Sequence, residues 1–176
     1  PFRDFEFLYG PLMVVPLAPV YVGLWLTGHL STPAPLFPYG LDHPASELPL
    51  LTLAARLPSL LMAAGVVVLA LRTGTVLRDA RTGRWAALLA ALLYPMIFYA
   101  RTTNVDMGAL FWTAAGLLVF ARCLTGDTTA RRLRALGLFA ALAAASKDAN
   151  YAAFVPVGAL VTWWWVRARV AGGASF

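Results

Sequence analysis

Two apolar runs, Trp85 to Ala100 and Met107 to Ala121, meet at a polar island centred on Arg101-Thr102-Thr103-Asn104-Val105-Asp106. Each run can cross a bilayer as a helix. If both do, Arg101 and Asp106 lie together at one membrane face. The rest of the chain repeats the pattern, apolar runs alternating with short charged or proline-rich segments. At 60% hydrophobic and 12% charged residues over 176 positions, it carries more apolar surface than a soluble domain of this size buries. The expected class is all-α, a polytopic transmembrane helix bundle.

In a soluble protein a net charge of +6 would favour nucleic acid. Here the basic residues cluster between apolar runs, so the expected partner is membrane lipid and not nucleic acid. Cys123 is the only cysteine, which rules out an intrachain disulfide. The chain starts at Pro1 without a methionine, and no signal peptide precedes the first apolar run, so it reads as a segment of something longer.

Residues Pro1 to Tyr9 mix Arg3, Asp4 and Glu6 with aromatic side chains, a composition suited to the membrane interface. The run Leu12 to Leu26 holds Pro16 and Pro19, which makes it either a kinked span or a juxtamembrane helix. Ser31 to Leu48, with Pro33, Pro35, Pro38 and Pro44, has loop chemistry, and no helix is expected over most of it. Helices are expected over 11–28, 50–72, 85–103, 107–124, 131–146 and 149–168, as one transmembrane module. Gly126 is the expected stop for the fourth of these.

Charge sets the orientation. Arg72, Arg78, Arg81, Arg84, Arg122, Arg131, Arg132, Arg134, Arg167 and Arg169 fall on one side. Arg3, Arg56, Arg101 and Lys147 fall on the other, with Asp4, Glu6, Asp42, Glu47, Asp106 and Asp148. The positive-inside rule makes the first side cytoplasmic. The module is then a multi-pass protein of the cytoplasmic (inner) membrane. The polar island, the Lys147-Asp148 pair and the proline-rich loop share its extracytoplasmic face.

Three charges at that face are candidates for chemistry. Arg101 and Asp106 are five apart, about 140° around a helix, and would not share a face unless the helix ends between them, as Asn104 favours. Asp106 then begins the next helix, where a carboxylate is favourable, and either caps the interface or holds a polar ligand. Lys147 is the only lysine. It either pairs with Asp148 to mark a turn or acts as a point-charge partner for a phosphate. His29 and His43 do not form a metal pattern, and no phosphate-binding glycine loop, zinc-ligand spacing or Ser/His/Asp arrangement is present.

The ordered set Tyr9-Gly10-Pro11-Leu12, Ala55-Arg56-Leu57-Pro58-Ser59, Arg101 to Asp106 and Ser146-Lys147 resembles the polyprenyl-phosphate-sugar-dependent glycosyltransferases of the C-type membrane fold. These are relatives of protein O-mannosyltransferases and lipid A aminoarabinose transferases. The resemblance covers about Phe5 to Val161 and implies an inverting transferase that passes a sugar from a polyprenyl phosphate carrier to an acceptor at the extracytoplasmic face. It makes Asp106 the second-loop aspartate and Lys147 the lysine near the donor phosphate, both supporting catalysis. The main catalytic base is expected upstream of Pro1.

Tyr9, Arg101, Asn104 and Asp148 flank these motif positions and are the candidates for substrate contact. A divalent metal is the one cofactor the resemblance allows, with Glu6 as its candidate ligand. The chain departs from the family where Gly10 stands for a proline, Asp148 stands for a glycine and Glu6 lies two residues out of register. Two other classes remain open: a transporter or channel fragment with these charges lining a pathway, and a non-catalytic structural membrane subunit.

Overall fold

The computed structural model describes residues 14–30, 44–102, 105–126, 128–147 and 150–170. Among them every regular element is helical: α1 (Val14–Leu26), α2 (Pro44–Leu77), α3 (Ala80–Leu92), α4 (Tyr94–Arg101), α5 (Val105–Leu124), α6 (Ala130–Ser146) and α7 (Tyr151–Val170). Two stretches, Ser46–Leu77 and Asp106–Leu124, are long and apolar enough to cross a membrane, and α3 with α4 would make a third if the bent pair is one span. The apolar parts of α1 and α7, Leu17–Leu26 and Ala152–Trp164, are shorter.

The exposed surface fits that reading. Leu61 is 70% exposed, Leu92 65% and Leu89 62%, an apolar covering that suits hydrocarbon and that a water-facing bundle would not tolerate. Inside, the contacts use small or flexible side chains: Ala63 and Val66 of α2 pack with Met96 of α4 and Met107 of α5. Helices in lipid gain little from the hydrophobic effect between themselves, so close approach of backbones supplies the attraction instead.

The tightest approach is at the α2–α3 corner. A β-carbon on Gly83 would fall 2.4 Å from the Leu71 carbonyl oxygen, and one on Gly74 would fall 2.8 Å from the Gly83 α-carbon. Asp79 starts α3 as its N-cap, accepting from the Thr82 amide at 2.7 Å. That bond holds the Asp79 carboxyl below its ordinary range, with the Thr82 hydroxyl, the Arg81 amide and the Arg84 charge assisting.

α2 differs from expectation at its start. Pro44 to Leu48 belong to the helix and not to a loop. A proline in the first turn loses no intrahelical hydrogen bond, and Glu47 there complements the helix dipole. The helix continues through Pro49 and Pro58 for 34 residues, about 51 Å at the usual rise.

The helix expected over 85–103 is two helices. α3 and α4 meet at Leu93 with a bend of 58°. Pro95 sits in the first turn of α4, and without an N–H it cannot bond the Ala91 carbonyl while its ring crowds that turn. α5 stops at Gly126, whose φ of +96° lies in the left-handed region that glycine enters freely.

The helix register positions the site. Phe111 of α5 packs against Gly65 of α2, where a β-carbon would lie 2.5 Å from the ring. Met107 packs beside Ala63 and Val66. The first turn of α5 is therefore level with the middle of α2, not with its start. The two helices run the same way, and α6 returns against α5, so the α2–α3 and α5–α6 turns share one end. Arg72, Arg78, Arg81, Arg84, Arg122, Arg131, Arg132 and Arg134 are gathered there. The end of α4, the start of α5 and the end of α6 meet at the other.

Candidate functional site

α4 ends at Arg101 and Thr102 caps it with an extended backbone, its N–H bonding the Tyr99 carbonyl. The helix thus stops between Arg101 and Asp106, and Asp106 enters the first turn of α5, where the amide dipoles favour a carboxylate. Arg101 is exposed in the last turn of α4, the position at which a cation suits the opposite end of a dipole. It makes no ion pair with Asp106 in which both partners are described residues.

Asp106 is paired with Lys147. Its ammonium Nζ donates to Asp106 Oδ1, joining the start of α5 to the end of α6 across 41 positions. Lys147 is the C-cap of α6: its backbone is extended, and its N–H bonds the Ala143 carbonyl at 3.1 Å. Its own carbonyl accepts from the Asn150 amide at 3.0 Å, which leads the chain into α7.

Below it Ser146 is buried, its hydroxyl donating to the Leu142 carbonyl at 2.9 Å. Met107, the neighbour of Asp106, is also fully buried. Both charged side chains are therefore held on backbone that is anchored from beneath. The Lys147 side chain remains 39% exposed and the Asp106 side chain 20%, so the ion pair faces outward from a packed base.

Chemically this is one cation and one carboxylate at fixed separation and within reach of a ligand. A lysine ammonium has three donors, and Lys147 gives one of them to Asp106; as a point charge it suits a phosphate oxygen. The carboxylate also restricts where that ammonium sits.

Tyr9, Asn104, Asp148 and Glu6 lie outside the described residues, as does His43. Among the described residues no three His, Cys, Asp or Glu side chains converge, so those residues offer no donor set for a divalent metal. His29 bonds the Thr27 hydroxyl just beyond α1.

Sequence reasoning did not single out Ser59 as a site residue. Its hydroxyl is completely buried on α2, with no hydrogen-bond partner among the described residues, as is the buried Thr113 hydroxyl of α5. Ser59 closes the Ala55-Arg56-Leu57-Pro58-Ser59 motif, which was the one signal available for it.

No protein-family model, curated protein or solved structure matches the chain.

Proposed function

We propose that this chain is part of a C-type membrane glycosyltransferase, a polytopic helix bundle of the inner membrane. In this reading it moves a sugar from a polyprenyl phosphate carrier to an acceptor at the extracytoplasmic face. The observation that carries the reading is the Asp106–Lys147 ion pair, because two positions matched through separate motifs are in contact. Its place at the end of the bundle opposite the arginine clusters adds support.

In this reaction the acceptor oxygen forms a bond to the anomeric carbon as the bond from that carbon to the carrier phosphate breaks. The acceptor proton passes to a carboxylate base. Negative charge grows on the departing phosphate, and Lys147 stabilises it. Asp106 positions the Lys147 ammonium, a supporting role distinct from that of the base. Arg101, exposed in the last turn of α4, is a further cation for the headgroup region.

The test is sugar transfer by the full-length protein in membrane vesicles. Asp106→Asn and Lys147→Ala should each abolish transfer while membrane insertion is retained. A double variant with the charges exchanged, Asp106→Lys with Lys147→Asp, should restore the tie between α5 and α6 but not transfer. Wild-type transfer by both single variants would overturn the assignment, and recovery of transfer by the exchanged pair would make the contact structural only.

A further inference from the structure

At the opposite, arginine-rich end, α3 carries a feature that the transferase reading does not use. Arg81, Arg84, Trp85 and Leu88 line an open concavity of about 360 Å³. Their spacing of 3, 4 and 7 places them on one stripe of the helix at about 100° per residue. Gly83, which packs on α2, lies on the opposite side. The stripe therefore points away from the protein, and all four residues are exposed.

From this geometry we infer that the Arg81–Trp85 concavity binds the headgroup phosphate of an anionic phospholipid. Helical side chains lean toward the helix N-terminus, here the outer end of the turn at Arg78-Asp79. Arg84 shows the lean directly, with Nε donating to the Ala80 carbonyl at 3.3 Å. Its fork is thus aimed at headgroup level beside that of Arg81.

Trp85 is 56% exposed and lies in the first turns of α3, next to the arginines, where a membrane interface would offer an indole both apolar and polar partners. Leu88 lies one turn deeper, with Leu92 one turn beyond it, a path for an acyl chain below a headgroup. The order guanidinium, indole, leucine along the helix matches the order phosphate, glycerol region, acyl chain along a lipid. The exposed Arg72 and Arg78 add positive charge to this corner. Asp79, the nearby acid, is committed to capping α3.

α6 supplies an internal comparison. Ala130, Arg131 and Arg134 repeat the spacing of Ala80, Arg81 and Arg84, and Arg134 Nε likewise donates to the Ala130 carbonyl at 3.3 Å. Ala135 stands there in place of Trp85. Charge alone would make the two sites equal; an indole-backed lipid site makes them different.

The experiment is native mass spectrometry of the full-length protein released from neutral detergent after incubation with phosphatidylglycerol, phosphatidylcholine or inorganic phosphate. The wild type should retain one phosphatidylglycerol far more strongly than phosphatidylcholine. Arg81→Gln with Arg84→Gln should weaken retention on the order of tenfold, from two arginines beside an anionic group. Trp85→Ala should weaken it as well, and Arg131→Gln with Arg134→Gln should leave it unchanged. Unfolding temperature in detergent alone should be similar for all variants, since these side chains face outward.

Equal losses from the α3 and α6 arginine pairs would overturn the inference in favour of diffuse charge. Unchanged retention in the α3 variants, or competition by inorganic phosphate at equal concentration, would overturn it as well.

Discussion

Lys147 at the end of α6 donates to Asp106 at the start of α5, and each of them adjoins a fully buried residue, Ser146 and Met107. The ion pair is therefore a tie between two anchored helix ends. Because both partners are partly exposed, its direct contribution to stability is small, about 1 kcal/mol or less. Combining Asp106→Asn with Lys147→Met in a double-mutant cycle on unfolding should give a coupling of that size. A coupling several times larger would mean that the tie holds α5 and α6 together and is not mainly a device for placing charge.

The α2–α3 corner has no room for a side chain. Gly83→Ala would place a β-carbon against the Leu71 carbonyl, which is backbone and cannot swing aside. A loss of about 1–3 kcal/mol is expected, and a smaller or similar loss from Gly74→Ala. Gly23→Ala in α1, where a β-carbon meets nothing within 4 Å, should be neutral or slightly stabilising. Thermal unfolding in detergent separates the three.

Pro95 is the cause assigned to the break between α3 and α4. Pro95→Ala restores the donor that the Ala91 carbonyl lacks and should reduce the 58° bend. Spin labels at Leu88 and Ile97, both exposed, would report the change as an increased separation. An unchanged separation would assign the bend to packing against α2.

The Asp79 cap makes the start of α3 sensitive to acid. Its folded carboxyl titrates below the ordinary 3.8, so its contribution is fully present above about that pH and is lost as pH falls through the folded value. Hydrogen-exchange protection at Thr82 and Gly83, relative to the unstructured chain, should fall in that acid range. Read as protection relative to the unstructured chain, Asp79→Asn retains a capping oxygen without the titration and should remove the acid-range loss, and Asp79→Ala should show low protection throughout.

The sequence made the helical class and the membrane-length helices legible, because apolar runs report directly on transfer into lipid. It also showed that a helix ends between Arg101 and Asp106. Prolines were harder to read. The cluster of prolines through Pro44 suggested a loop, yet α2 includes Pro44, a first-turn position that suits a proline, and continues through Pro49 and Pro58. Pro95 was the reverse case, a single proline in an apolar run that breaks the helix.

Charge patterning put Lys147 level with Asp106, and the two are in contact; the contact itself depends on the α5–α6 register, which side-chain packing sets. The alternative pairing with Asp148 falls outside the described residues. The face of α3 that Arg81, Arg84 and Trp85 share follows from helical spacing, but that it points outward depends on Gly83 docking to α2.

The length of α2 bears on how anything reaches Asp106 and Lys147. Met107 in the first turn of α5 packs beside Ala63 and Val66, which leaves the earlier turns of α2, from Pro44, beyond that level. Among the described residues, α2 therefore rises past the ion pair as a step. Under the proposed transfer, a carrier held in the bilayer would meet the foot of this step and a water-borne acceptor its wall, so the two would approach the ion pair from different directions.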